Sequence, residues 1–221
     1  MNKQEKEAYL AQRLQEMKQF ETELCGSATR FIAGVDEVGR GPLAGPVVAA
    51  CVVLPRDFDV PGIDDSKKLT EKKREALFPV IQEKAVAYGI GMADHERIDA
   101  INILQATKEA MTAAVEAASA QLAEKEGAAI EHILFDAMTI DAIAIPQTSV
   151  IKGDSKSLSI AAASILAKVT RDRMMVELAE VYPGYGFEKN KGYGTKAHYE
   201  GLRQQGTCPI HRMTFLKNFL K

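Results

Sequence analysis

A chain of 221 residues, 46% hydrophobic and 26% charged, has enough apolar material for one substantial core and too much for a disordered polymer. No apolar run reaches the ~18 residues of a membrane span, and the opening M-N-K-Q-E-K-E lacks a signal-peptide core. Three scattered cysteines, Cys25, Cys51 and Cys208, fit a reducing compartment, so a cytoplasmic protein with no membrane partner is expected.

Residues 1–28 read as an N-terminal helical arm, with Leu10, Leu14, Met17, Phe20 and Leu24 at three-to-four spacing and Gly26-Ser27 as its stop. Residues 29–221 read as one domain. Its first strand, F-I-A-G-V, ends in the adjacent carboxylates Asp36 and Glu37 and turns through Gly39-Arg40-Gly41-Pro42. Adjacent strand residues face opposite ways, so both acids can serve one site only if the strand is already twisting into its turn. Residues 46–54 follow as a buried antiparallel strand, and the polar stretch I-D-D-S-K-K-L-T leads to a short helix capped by Thr70 and ending at Phe78. A third strand is expected over 85–92, then a short helix, then a long alanine-rich helix from Asn102 to Gly127.

A fourth strand, 130–135, arrives at Asp136, and a fifth, 148–152, arrives at Gly153-Asp154. A serine-capped helix then runs to Pro183-Gly184, followed by a Gly/Tyr/Lys-rich loop over 185–193 and short helices. The pattern implies an α/β fold with a mixed five-stranded sheet flanked by helices.

Asp36, Glu37, Asp136 and Asp154 thus stand at strand ends, where open α/β sheets gather ligands. Carboxylates alone form a hard oxygen site suited to Mg²⁺ or Mn²⁺, and two such ions ~4 Å apart can serve phosphodiester hydrolysis. Cys208-x-x-His211 lacks a second half for a zinc site, and no Gly-Lys dipeptide exists for a P-loop. The net charge of −2 hides an asymmetry. Residues 1–149 carry 16 Lys and Arg against 24 Asp and Glu, whereas residues 150–221 carry 12 against 6, a distribution suited to a polyanion docking on one face.

The motifs D-E-V-G-R-G-P-L-A-G-P, D-S-K-K-L, N-I-L-Q-A-T, K-G-D, A-A-A-S-I-L-A-K-V-T-R-D, K-G-Y-G-T-K-A-H and H-R-M-T-F occur in order between Phe31 and Phe215. Together they resemble bacterial ribonuclease HII. The resemblance implies a ribonuclease-H-like fold, hydrolysis of the RNA strand of RNA/DNA hybrids, and nicking 5′ to single ribonucleotides in duplex DNA during ribonucleotide excision repair. It implies that Asp36, Glu37, Asp136 and Asp154 are the catalytic, metal-binding carboxylates. Gly39, Arg40 and Gly41 match the turn that grips the ribonucleotide and its 2′-OH. Tyr193 matches the tyrosine that stacks on the sugar past the RNA-to-DNA junction, and Lys67, Lys168 and Arg171 match phosphate contacts or supports behind the site.

Two departures stand out. The third acid is usually followed by glycine and here by Ala137, and L-K-N-F-L-K replaces a proline-containing tail. Alternatives are a ribonuclease HIII-like hybrid nuclease, which carries a sizeable N-terminal substrate-binding domain, and a catalytically silent hybrid-binding module. A monomer is expected; a sliding clamp is a conceivable partner that no residue supports. His198 and His211 lie in the matching motifs without an assigned role.

Overall fold

The computed structural model describes residues 2–217 and residue 219. Five strands form one sheet: β1 (Ile32–Val38), β2 (Val47–Val53), β3 (Ala87–Ala93), β4 (His132–Asp136) and β5 (Gln147–Val150). Their order is β3-β2-β1-β4-β5, antiparallel across β3, β2 and β1 and parallel across β1, β4 and β5. This is the mixed five-stranded sheet expected from the sequence. The apolar run of β2 is buried at every position because helices cover both faces.

One face packs on α4 (Ile103–Glu126) through Val35, Ala49, Cys51, Ile133, Phe135 and the alanine-rich side of the helix. The other packs on α5 (Leu158–Val181) and α2 (Glu71–Lys84) through Ala50, Val52, Phe78, Ile81, Ile165 and Leu166. Each fully buried Val, Ile, Leu or Phe among them contributes about 1.5–3 kcal/mol. Close approach depends on glycine in two places. A Cβ on Gly34 of β1 would stand 2.1 Å from the Ser159 carbonyl carbon of α5, and one on Gly91 of β3 would stand 2.1 Å from the Ala110 carbonyl oxygen of α4.

The helix α1 (Lys3–Cys25) lies against the α5 side, burying Leu14 and Met17, whereas Leu24 of the expected apolar stripe is exposed. α2 runs past its expected end at Phe78, through Pro79, to Lys84. The proline removes one intrahelical donor, but Ile81 beyond it is wholly buried, and packing of that last turn outweighs the lost bond. Small helices complete the chain: α3 (His95–Ile101), α6 (Phe187–Asn190), which structures part of the expected loop, and α7 (Lys196–Gln205).

Candidate active site

The register of the parallel strands places the acids. Val35 and Phe135 are the last paired residues of β1 and β4, and Asp36 and Asp136 follow them on strands about 4.8 Å apart. Asp136 in turn pairs with Val150, the final residue of β5. From there the chain passes through Lys152 into a 3-10 turn over Gly153–Ser155, which returns Asp154 toward the same corner. The Gly153 amide donates to Asp136 Oδ1 at 2.7 Å, and a Cβ on Gly153 would lie 2.6 Å from Ile160 Cδ1. A side chain at this position would have to push aside the tip of Ile160.

Asp36 and Glu37 both feel the site's charge: Glu37 and Asp136 act on Asp36, and Asp136 acts on Glu37. Both residues stay in the β2 ladder, opposite Ala50 and Ala49, and the strand continues to Val38. Asp36 is buried and accepts from the Glu37 amide at 2.8 Å and from the Ser164 side chain on α5. Glu37 is partly buried and pairs with Arg40 at 3.4 Å. Burial drives the Asp36 carboxyl well above its ordinary range, and the charges of Glu37 and Asp136 push it further. Burial likewise raises Glu37, with Arg40 opposing, and raises Asp136, with the Gly153 amide opposing and Asp154 adding to it. The exposed Lys67 Nζ reaches Asp154 Oδ2 at 3.4 Å; burial would lower this ammonium, but Asp154, Asp36 and Asp65 raise it instead.

Three carboxyls held above their ordinary range next to a fourth are short of positive charge, and all donors are oxygen. That fits a hard divalent cation. Among the described residues no three His, Cys, Asp or Glu side chains are already closed around an ion position.

The basic and glycine residues frame this corner. Gly39 has φ +95°, and a Cβ there would collide with Arg171 Nε at 2.2 Å. Arg171 is fully buried, with Nε donating to the Pro46 carbonyl at 2.8 Å and Nη1 to that of Lys191 at 2.9 Å. It is therefore placed to hold loops and has no surface on which to meet a phosphate. Lys168 pairs with the buried Asp172 at 2.7 Å. Arg40 projects outward, about half exposed. Tyr193 is also exposed, its Cε1 3.6 Å from where a Gly41 Cβ would stand, so the edge of the tyrosine ring lies beside the glycine turn. The Leu43 amide ties these loops together by donating to the Gly192 carbonyl at 2.8 Å.

Two features carried no assignment from the sequence. Arg212, wholly buried, donates from Nη2 to the Gly39 carbonyl at 2.7 Å, from Nη1 to Arg40 at 3.1 Å and from Nε to Gly45 at 2.9 Å. It grips the glycine turn from beneath. Its position in H-R-M-T-F was the available signal, but an arginine between polar and apolar residues reads as surface. Glu21 of α1, half-buried, accepts from the Ser159 amide at 2.7 Å and from the hydroxyls of Ser157 and Ser159 at the start of α5. The arm thus docks two residues beyond the Asp154 turn.

Comparison with known proteins places the chain's family and fold. The family model described as Ribonuclease HII matches residues 33–218. A ribonuclease HII of Listeria innocua is 56% identical over 213 residues, 96% of this chain and 78% of that one. Another from Caldanaerobacter subterraneus is 55% identical over 209 residues, 95% of this chain and 83% of that one. The crystal structure of a ribonuclease H2 from Pyrococcus horikoshii superposes with a TM-score of 0.66 at 28% identity, covering 86% of this chain and 99% of that one. With its strand order, its acids at neighbouring strand ends and its matched motifs, the chain belongs to the ribonuclease HII family.

Proposed function

We propose that this chain is a divalent-metal-dependent endoribonuclease that cleaves the RNA strand of RNA/DNA hybrids and nicks duplex DNA 5′ to a single embedded ribonucleotide. The observation that supports the reading is that burial and neighbouring carboxylates raise Asp36, Glu37 and Asp136 together, with Asp154 acting on Asp136, near a glycine turn against which the exposed Tyr193 ring lies. These four carboxylates would hold Mg²⁺ or Mn²⁺, two ions during the reaction. Bound there, the cations supply charge neutralisation for the phosphodiester and activation of water.

The protein's own groups do the rest. Gly39, Arg40 and Gly41 offer backbone amides and carbonyls close to the sugar, so that the 2′-OH distinguishes RNA from DNA. Arg40 faces solvent beside Glu37 and is available to the backbone phosphates, as is Lys67 beside Asp154. Tyr193 offers a ring on which the sugar past the junction rests. Arg171 and Lys168 support α5 and its neighbouring loops, and α1 serves as an arm on the catalytic domain. No described helix is long and apolar enough to cross a membrane, in keeping with a nucleic-acid enzyme of the cytoplasm.

The test is a fluorescent DNA duplex with one ribonucleotide, beside a uniform RNA/DNA hybrid, each with Mg²⁺, Mn²⁺ or EDTA. Metal-dependent nicking on the 5′ side of the lone ribonucleotide is expected. Cleavage confined to the uniform hybrid would place the activity with ribonuclease HIII-like enzymes, and binding with no product under either metal would make the chain a hybrid-binding module.

A further inference from the structure

Beneath Tyr193 lies a buried cluster formed by His198 of α7, His211 and Cys208. His198 Nδ1 is 3.0 Å from the Tyr193 carbonyl oxygen, His198 Nε2 is 2.9 Å from His211 Nε2, and His211 Nδ1 is 2.9 Å from the Cys208 amide nitrogen. A carbonyl only accepts, so His198 carries its hydrogen on Nδ1 and donates to Tyr193. In the neutral ring its Nε2 is then an acceptor for a hydrogen on His211 Nε2. On its far side His211 Nδ1 is enclosed by Cys208, 2.9 Å from the amide nitrogen, 3.1 Å from the carbonyl oxygen and 3.1 Å from Sγ. The chain of contacts therefore runs from Cys208 through His211 and His198 to Tyr193.

Its two ends matter. At one end His211 bridges Ala44 in antiparallel fashion, and the Arg212 amide donates to the Leu43 carbonyl at 2.8 Å, directly after the Gly39-Arg40-Gly41 turn. At the other end is the peptide carbonyl of Tyr193, whose ring faces Gly41. Both imidazoles are wholly shielded, stacked edge-on against Phe187 and Tyr185, with ring centroids 5.1 Å apart for Phe187 and His198 and 4.9 Å for Tyr185 and His211. Two neutral histidines in an aromatic box, sharing one hydrogen between facing nitrogens, are unused by the carboxylate chemistry.

We infer that His198 and His211 are positioning residues that set the Tyr193 ring against the glycine turn through this buried hydrogen-bond chain, and so govern cleavage at an RNA-to-DNA junction. The inference rests on the reading of Tyr193 given under the proposed function.

The experiment is a double-mutant cycle on kcat/KM for a duplex with one ribonucleotide, using His198→Ala and Tyr193→Ala singly and combined, with melting curves for each. Alone, His198→Ala is expected to lower kcat/KM about tenfold, the effect of one lost buried hydrogen bond. With Tyr193 already alanine it should change the rate by less than about twofold. Losses that multiply in full, or a His198→Ala rate equal to wild type, overturn the inference.

Should His198→Ala fail to fold, His198→Asn and His198→Gln decide the matter. The asparagine amide reaches the position of Nδ1 and keeps the donor to Tyr193, while the glutamine amide reaches only the position of Nε2. Asparagine should stay within about threefold of wild type and glutamine should not. Equal activity of the two overturns the inference. A wild-type protein that fails to nick at the lone ribonucleotide would instead refute the functional reading on which this rests.

Discussion

Replacing Asp36 with asparagine should destroy activity and make the protein more stable in the absence of metal. Asp36 is buried, faces the charges of Glu37 and Asp136, and has hydrogen-bond donors, while the nearby Lys67 ammonium pairs with Asp154. Asparagine keeps an acceptor for the Glu37 amide, and its NH₂ group can donate to the Ser164 hydroxyl, which already shares a hydrogen with Ser66 at 2.8 Å. The shape is retained and only the uncompensated charge is removed, a gain of about 1–2 kcal/mol. For a chain of this length that corresponds to a rise in Tm of about 2–8 °C.

The assay is thermal unfolding in EDTA at several pH values, beside cleavage with Mg²⁺. The sign follows from linkage. The folded Asp36 carboxyl titrates above its unfolded value, so the folded state carries no penalty below the unfolded value of about 4, a growing one as the pH rises above it, and the full one once the raised value is passed. The advantage of Asp36→Asn should therefore grow as the pH rises from about 4 and vanish as the pH falls back through that unfolded value. Mg²⁺ should stabilise the wild type more than the variant. An Asp36→Asn protein that melts below the wild type in EDTA, or turns over substrate at a near-normal rate, would refute the reasoning.

Other substitutions probe the supports of the site. Ala137 follows Asp136 with φ +50°, a left-handed backbone that costs alanine about 1 kcal/mol, so Ala137→Gly should raise Tm by about 1–3 °C; a fall would mean that this backbone is not strained. Arg212→Lys loses the forked donors to Gly39, Arg40 and Gly45 and should cost about 2–4 kcal/mol in denaturant unfolding; a cost under ~0.5 kcal/mol would show that the guanidinium does not hold the turn. Burial holds His198 below the ordinary imidazole range and His211 at about 4, so their contribution to stability is complete above 6.5 and is lost as the pH falls toward 4. The wild type should accordingly lose more stability between pH 7 and pH 5 than His211→Gln, and parallel losses would contradict the neutral pair.

The parts legible in the sequence share a physical cause. Strands announce themselves through continuous apolar runs, and an acid ending such a run is conspicuous because nothing local compensates it. Asp36, Asp136 and Asp154 were visible for this reason, and the parallel pairing of β1 with β4 brings the first two side by side. What stayed hidden were polar groups whose partners come from distant backbone. Arg171 and Arg212 look like surface residues until the carbonyls at 39–46 fold over them. The His198–His211 contact joins residues thirteen apart on separate segments, and no periodicity marks it. The glycine usually found after the third acid gained its explanation only from the backbone, since Ala137 adopts the left-handed conformation that glycine enters freely.

The most direct measurement is anomalous scattering from Mn²⁺ in crystals of the Asp36→Asn variant and of the wild type, each with a non-cleavable duplex carrying one ribonucleotide. The account predicts, in the wild type, Mn²⁺ peaks between the carboxylates of Asp36, Asp136 and Asp154 and the phosphate 5′ to the ribonucleotide, with occupancy reduced in the variant. Peaks bound elsewhere on the protein, with those carboxylates facing only solvent, would contradict it.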